Sequence, residues 1–312
     1  GPPCYVLDEF DRLGMYAYIE YPIWNPIETP AFFDRARKQI REMLVKDRNH
    51  PSVILTDFNC EMHFFSEEMD KLMRELVDAG KELAPNRLYL DNSGNGVTRY
   101  GDFYALHPYF PLKGFRETVG EHVARREKEA DKPLVLGEFA DTDTIRDTSA
   151  VRRANGGELP WWWSFFRVAD PEEILRKQGY ALEQIERFKR TSRQHALMAK
   201  KYYMEGAKFY DRIGALYLTH LNDIPATQPG FYDDNFERKF DPLELRKFAA
   251  ASVLLLERTT QNFFCGTEVR VTPYLSHYGS RPLAGGRLEW QLLLGEDLLA
   301  EGTSASGIIA NG

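Results

Sequence analysis

The sequence has few of the features that mark nucleic-acid-binding or membrane proteins. Its formal net charge is −7, and charged residues of both signs are mixed along the chain. A protein that binds nucleic acid needs a basic surface, so we expect no nucleic-acid partner. No apolar run approaches the roughly 18 residues of a membrane span, so we expect no membrane association either.

The chain also has few cysteines. Cys4, Cys60 and Cys265 are widely spaced and form no metal or redox motif. Three cysteines cannot all pair in disulfides, so they do not form a disulfide framework, although two of the three could pair in an oxidising compartment. No signal peptide is visible, and the residues indicate neither the compartment nor the oligomeric state.

What is present is an alternation of strand and helix patterns over the first 257 residues, which predicts a parallel α/β sheet. We predict six strands, near residues 15, 53, 88, 103, 134 and 215. A closed (β/α)8 TIM barrel needs eight. Because a helix precedes the first predicted strand, we expect two strands upstream of residue 1 and hence a piece of a longer protein. The alternative is an open, six-stranded doubly wound sheet.

Helical patterns connect these strands. Gly14 is predicted to end the first helix as a C-cap, and Ser66 to begin the third as an N-cap with Met69 at N3. Residues 140–167 are predicted to form a long polar loop. The predicted helices cover residues 4–14, 30–46, 66–83, 115–129, 171–210 (with a break near Gly179 or Thr191) and 242–257.

The composition changes near residue 260. Short apolar segments then alternate with Gly-rich turns, and no helical period is evident. This pattern predicts antiparallel β structure of the sandwich type. We therefore divide the chain into a partial TIM-barrel domain, residues 1–259, and the start of an immunoglobulin-like β-sandwich, residues 260–312.

Three of the predicted strands end in glutamate, at Glu20, Glu61 and Glu138. The other predicted strands also end in polar side chains: Asp91 with Asn92, His107, and His220 with Asn222 and Asp223. The carboxyl ends of barrel strands carry the active site. Retaining glycoside hydrolysis needs two carboxyl groups about 5–5.5 Å apart, one protonated and one ionised. We therefore predict that Glu61 and Glu138 face one sugar.

Residues 48–61, RNHPSVILTDFNCE, resemble a segment of glycoside hydrolase family 2, the clan A group of β-galactosidases, β-glucuronidases and β-mannosidases. In that family, Arg-Asn-His-Pro-Ser precedes a strand that ends in Asn-Glu. Other segments are similar in the same order, and together they cover most of residues 1–260: YVLDEFDRLGMYAYIEYPI, HPYF, KPLVLGEF and HLND.

The resemblance implies a retaining exo-β-glycosidase acting on the non-reducing end of a carbohydrate substrate. By position in the motifs, Glu61 matches the general acid/base and Glu138 the nucleophile. No organic cofactor is implied, and a divalent cation near the third-strand glutamate is left open. The other implied site residues are Glu20, His107 and Tyr109 around the sugar, and Asn222 and Asp223 where the family closes its barrel.

The chain departs from the family at two places near this site. Cys60 stands where the family has an Asn that contacts the sugar 2-hydroxyl, and a thiol is a weak hydrogen-bond partner. Asn59 is a candidate to supply that contact. On the last strand, Thr219 replaces a common Trp, and His220 replaces a common Gln.

The segment after Glu138 contains Arg146 and three consecutive tryptophans, Trp161, Trp162 and Trp163. One interpretation is that the tryptophans pack this segment onto the barrel. The other is that Trp161 and Trp162 stack on a sugar ring while Arg146 binds an acidic substituent.

Two other functions are left open. A non-catalytic carbohydrate-binding relative would have the same fold, with Cys60 and Thr219 as signs of lost activity. A metal-dependent hydrolase would need His or Asp clusters on the early strands. The identity of the sugar does not follow from the residues.

Overall fold

The computed structural model describes residues 1–63, 65–129, 132–257, 264–305, 307 and 309. The helices are α1 (Cys4–Leu13), α2 (Pro30–Asp47), α3 (Glu67–Leu83), α4 (Phe115–Glu129), α5 (Thr148–Ala154), α6 (Trp161–Phe165), α7 (Pro171–Lys177), α8 (Leu182–Lys208) and α9 (Pro242–Ala249). The strands are β1 (Ala17–Glu20), β2 (Val53–Asp57), β3 (Leu88–Leu90), β4 (Tyr104–Leu106), β5 (Leu134–Phe139), β6 (Ile213–Leu218), β7 (Ser252–Glu257), β8 (Thr272–His277), β9 (Arg287–Leu294) and β10 (Asp297–Ala305).

Six of these strands form two parallel sheets. The strand orders are β1-β2-β3 and β4-β5-β6, so strands that follow one another in sequence are neighbours in space. This order has none of the reversal that defines an open, doubly wound sheet. The predicted parallel α/β sheet is confirmed.

A small apolar cluster contains side chains from all six parallel strands, and it joins the two sheets. The ring centroid of Tyr18 on β1 lies 5.2 Å from that of Tyr217 on β6 and 6.0 Å from that of Phe103 beside β4. The carboxyl ends of both sheets are therefore near one another. The cluster comprises Leu55, Leu90, Phe103, Ala105 and Val135, with Tyr18, Ile54, Ala215 and Tyr217 packed against it.

Several predicted helix ends are confirmed. Gly14 ends α1 with φ 67°, a left-handed conformation that glycine adopts without a steric penalty. The Ser66 side chain accepts a 3.0 Å hydrogen bond from the amide of Met69 at the start of α3. The long helical tract breaks at Gly179, which has φ 90°. The alternative break at Thr191 is wrong, because that residue lies inside α8.

The prediction of one helix over residues 242–257 is wrong in its second half. Helix α9 ends at Ala249, and β7 follows from Ser252. In β7, Val253 and Leu255 are buried while their neighbours face outward, which is the two-residue period of a strand. Pairing with β8 in an antiparallel ladder gives the backbone groups of this segment their hydrogen-bond partners.

The predicted loop over residues 140–167 contains two short helices, α5 and α6. Asp147 begins α5, since its side chain accepts a hydrogen bond from the amide of Ala150. Strands β9 and β10 form an antiparallel pair, as predicted for the tail. The proposed domain boundary near residue 260 lies outside the described residues. Within the described part of the chain, no helix is long and apolar enough to cross a membrane.

Candidate active site

Glu61 and Glu138 meet at one histidine. The Nδ1 atom of His107 lies 2.8 Å from Oε1 of Glu61 and 3.7 Å from Oε2 of Glu138. These two carboxylate oxygens are therefore no farther apart than the sum of those distances. Both glutamate side chains are about one-third exposed, whereas the His107 imidazole is buried. The two carboxyl groups are therefore accessible to solvent, and the imidazole lies beneath them.

The backbone after β2 directs Glu61 toward this point. Its φ of 56° is in the left-handed region, and its amide donates a 3.1 Å hydrogen bond to the carbonyl of Ser93. Gly94, with φ 91°, allows the next loop to approach. A Cβ at Gly94 would lie 2.6 Å from Cγ of Glu61 and 3.0 Å from Nδ1 of His107. Both the positive φ and the lack of space for a Cβ therefore require glycine at position 94.

Glu138 is held by Tyr109. The Tyr109 hydroxyl donates a 2.6 Å hydrogen bond to Oε2 of Glu138 and lies 3.3 Å from Oγ1 of Thr219. Burial raises the pKa of Tyr109, and the hydrogen bond to Glu138 raises it further, so this hydroxyl keeps its proton. An opening of about 360 Å³ lies beside Glu138, lined by residues of β5 and the end of β6: Gly137, Glu138, Leu218, Thr219, His220, Leu221, Asn222 and Ile224.

A third carboxyl group, Glu20, lies beside the pair at the end of β1. Loss of surrounding water raises its pKa, and the charge of Glu138 adds to the rise, whereas a 3.0 Å hydrogen bond from Ser93 opposes it. The thiol of Cys60 is also a hydrogen-bond partner of Glu20. Burial and then the charge of Glu20 raise the pKa of Cys60, so its thiol keeps its proton.

Asp57 is a site neighbour that sequence reasoning did not single out. It is fully buried, and burial together with the charge of Glu20 raises its pKa well above the usual range. The Tyr18 hydroxyl donates to it at 3.3 Å. Ser93 was also missed, although it follows the predicted strand-end pair Asp91-Asn92. Its position directly after a polar strand end was the available signal.

No protein-family profile matches the chain. A β-galactosidase of Thermoanaerobacterium thermosulfurigenes is 29% identical over 124 residues, which are 37% of this chain and 17% of that protein. Among solved structures, the β-D-mannosidase of Dictyoglomus thermophilum superposes with a TM-score of 0.65 at 13% identity, covering 99% of this chain and 41% of that one. The Bacteroides uniformis β-glucuronidase 2, covalently bound to cyclophellitol-6-carboxylate aziridine, gives 0.53 at 15% identity over 98% of this chain and 37% of that one.

By distant sequence similarity and by fold, the chain resembles family 2 of the glycoside hydrolases. It spans about a sixth of the length of the curated β-galactosidase and about two-fifths of each solved structure.

Asn59 and Asp223 lie deeper than a sugar contact requires. Asn59 is fully buried, and within the described residues its side-chain amide has no hydrogen-bond partner. Asp223 forms a buried ion pair with Lys239 at 2.8 Å and accepts from the amide of Gly230. Asn222 lies along the opening beside Glu138, with its Nδ2 donating to the carbonyl of Asp223. Only Asn222 of these three therefore lines the mouth.

Arg146 has protein partners instead of an open position. Its buried guanidinium donates 2.9 Å to Asp234 and 2.6 Å to the carbonyl of Ile224, and it lies 5.3 Å from the ring of Trp163. Trp163 is buried and Trp162 is half-buried against it, while Trp161 is 76% exposed. These contacts favour the packing interpretation for Arg146 and Trp163. They leave Trp161 on the surface.

Two overlapping groups of side chains in the site have donor atoms that could hold a metal ion. Glu20, His107 and Glu138 offer atoms within 4.8 Å of one another, and so do Cys60, Glu61 and His107. The first group, with two carboxylates and an imidazole, fits the divalent cation that the family resemblance leaves open near Glu20.

Proposed function

We propose that the protein is a retaining exo-β-glycosidase, in which Glu61 is the general acid/base and Glu138 the nucleophile. The observation that carries this proposal is the closeness of both carboxyl groups to one atom, His107 Nδ1, which lies 2.8 Å from Glu61 and 3.7 Å from Glu138. In this proposal the six parallel strands are the last six of a (β/α)8 barrel.

The first step forms a glycosyl-enzyme. Glu138 attacks the anomeric carbon, the bond to the leaving oxygen breaks, and the Glu61 proton moves to that oxygen. Tyr109 and His107 both contact Oε2 of Glu138, so we assign the attack to Oε1. The hydrogen bond from Tyr109 to Oε2, the oxygen that does not attack, orients the carboxylate so that Oε1 is in line with the anomeric carbon.

In the second step, Glu61 takes a proton from water, and the resulting hydroxide oxygen bonds to the anomeric carbon. The bond to Glu138 breaks, and the carboxylate returns to its starting state. His107 donates to ionised Glu61 from Nδ1 and so holds the carboxylate in place during the proton transfers. The configuration at the anomeric carbon is retained because it inverts twice.

A mechanism-based 2-fluoro-glycosyl fluoride tests this proposal directly. A panel of galacto-, manno- and glucurono-configured reagents should include one that inactivates the protein with 1:1 stoichiometry, and peptide mapping should place the label on Glu138. Glu138→Gln should not be labelled. The control Glu257→Gln, which changes the last residue of β7, should react like the wild type. A label on another residue would contradict the assignment.

The second candidate function is a non-catalytic carbohydrate-binding protein. Cys60 stands where the family has an Asn, and its thiol is a hydrogen-bond partner of Glu20. This replacement favours the non-catalytic candidate. Binding of a sugar without turnover of any aryl β-glycoside would support this candidate over the enzyme.

A further inference from the structure

We infer that Cys60, Glu61 and His107 form a zinc-binding site in which the ion would block the general acid/base. The three donor atoms, one thiol sulfur, one carboxylate oxygen and one imidazole nitrogen, lie within 4.8 Å of one another. This group differs from the Glu20 group discussed above, because it contains a thiol and the proposed acid/base. The inhibitory consequence rests on the proposed function, whereas the binding itself does not.

The donor types select the metal. Sulfur, nitrogen and oxygen donors together suit Zn²⁺, while Mg²⁺ and Ca²⁺ prefer oxygen alone. In a tetrahedral zinc site, bond lengths of about 2.0–2.3 Å place the donors about 3.3–3.7 Å apart. The Glu61 oxygen and the His107 nitrogen, at 2.8 Å, need only a small separation to admit the ion.

The surrounding charges favour a cation. Glu20 is a hydrogen-bond partner of the Cys60 thiol, and Glu138 lies 3.7 Å from His107. Among the described residues, the ion pairs of Glu61 and Glu138 are both with His107, so no lysine or arginine within 4 Å neutralises these two carboxylates. A dication would reduce the mutual repulsion of these carboxylates.

Binding exchanges a proton for the metal. The Cys60 sulfur–hydrogen bond breaks, the proton leaves to solvent, and a sulfur–zinc bond forms, with no change in oxidation state. The proton on Nδ1 of His107 moves by way of solvent to Nε2, and the hydrogen bond between His107 and Glu61 is replaced by two bonds to zinc. Glu20, Glu138 and Glu61 lie near the thiol, and the negative charges of their carboxylates disfavour the free thiolate.

Metal titration of the protein tests the inference. Co²⁺ serves as a spectroscopic substitute, and Zn²⁺ affinity is measured by competition with a chromophoric chelator. We expect one equivalent to bind, with a thiolate-to-cobalt charge-transfer band. Cys60→Ala and Cys60→Ser should lose the band and at least 10-fold in Zn²⁺ affinity. The matched controls are Cys4→Ala and Cys265→Ala, which remove the two exposed thiols and should keep both.

The outcomes separate this inference from the proposed function. Loss of the band in Cys265→Ala or Cys4→Ala, or its persistence in Cys60→Ala, would overturn the site. If the protein hydrolyses an aryl β-glycoside, stoichiometric Zn²⁺ should inhibit it reversibly, and Cys60→Ala should escape inhibition. An inactive protein that still shows the Cys60-dependent band would refute the glycosidase and support the metal site.

Discussion

The hydroxyl of Tyr109 lies 2.6 Å from Oε2 of Glu138 and donates a hydrogen bond to it. The two residues come from different strand ends, after β4 and within β5, and 29 positions separate them. A bond of this length to a carboxylate fixes the orientation of the proposed nucleophile.

Tyr109→Phe should lower kcat/KM by about 10- to 100-fold, because a hydrogen bond to a charged group contributes about 1.5–3 kcal/mol. Steady-state kinetics with an aryl β-glycoside would measure this loss. Tyr100→Phe is the matched control, since Tyr100 also donates to a carboxylate, Asp70, on α3. Equal losses in the two variants would mean that the effect is one of stability.

Glu61→Gln should slow hydrolysis of alkyl glycosides by about 10²- to 10⁴-fold, the usual contribution of general acid catalysis. Substrates with an activated aryl leaving group need little protonation, so their first step should be affected far less. Pre-steady-state kinetics would show a burst of aryl alcohol, followed by slow turnover that azide accelerates. A uniform loss for both leaving groups would argue against this role for Glu61.

Cys60→Asn should raise kcat/KM by about 2- to 10-fold, because an amide would form a hydrogen bond worth about 0.5–1.5 kcal/mol that the thiol forms poorly. The comparison should include a 2-deoxy substrate, for which the gain should vanish. If Cys60→Asn improves both substrates equally, the 2-hydroxyl is not its partner.

Gly94→Ala should destabilise the protein and lower kcat/KM, since the new Cβ would meet Glu61 at 2.6 Å in a left-handed backbone conformation. Gly114→Ala controls for the backbone cost alone, because Gly114 has φ 81° and nothing within 4 Å of the added Cβ. Urea denaturation would compare the two free energies of unfolding. A smaller loss for Gly94→Ala than for Gly114→Ala would contradict the predicted clash.

Lys200 provides a pH-dependence prediction. Burial lowers the pKa of this lysine from 10.5 to about 8, and the charge of Lys239 adds to the effect. Between pH 8 and 10.5 the unfolded chain binds more protons at this side chain, so its contribution to stability rises with pH. Relative to Lys200→Met, the wild type should gain up to about 1.4 kcal/mol per pH unit in this range.

Paired urea denaturations of the wild type and Lys200→Met at pH 7 and 9.5 would measure this difference. Lys201→Met is the control, because Lys201 is half-exposed and paired with Glu205 on the helix surface. Its difference from the wild type should change little with pH. A pH-independent difference for Lys200→Met would refute the lowered pKa.

Local chemistry made much of this fold predictable from sequence. Gly14, Ser66 and Gly179 each act within a few residues, so their positions fix helix ends without knowledge of the tertiary structure. The segment at 252–257 was missed because its leucines suit a helix as well as a strand. Its state is decided by the distant partner β8.

The site was predictable in its carboxylates but not in their surroundings. Glu61 and Glu138 end apolar strands and match a family motif. By contrast, the contacts of Asp57 with Tyr18 and of Arg146 with Asp234 join residues 39 and 88 positions apart. No local pattern encodes such pairs, so the buried ion pair of Arg146 could not be foreseen.

The left-handed backbone at Glu61, which recurs at Ala140 after β5, bears on how the protein could be redesigned. Positions 61 and 140 are constrained by their torsion angles independently of what their side chains do. A mutant library that varies the mouth of the site should therefore draw on glycine, asparagine and aspartate at these two points and omit valine, isoleucine and threonine.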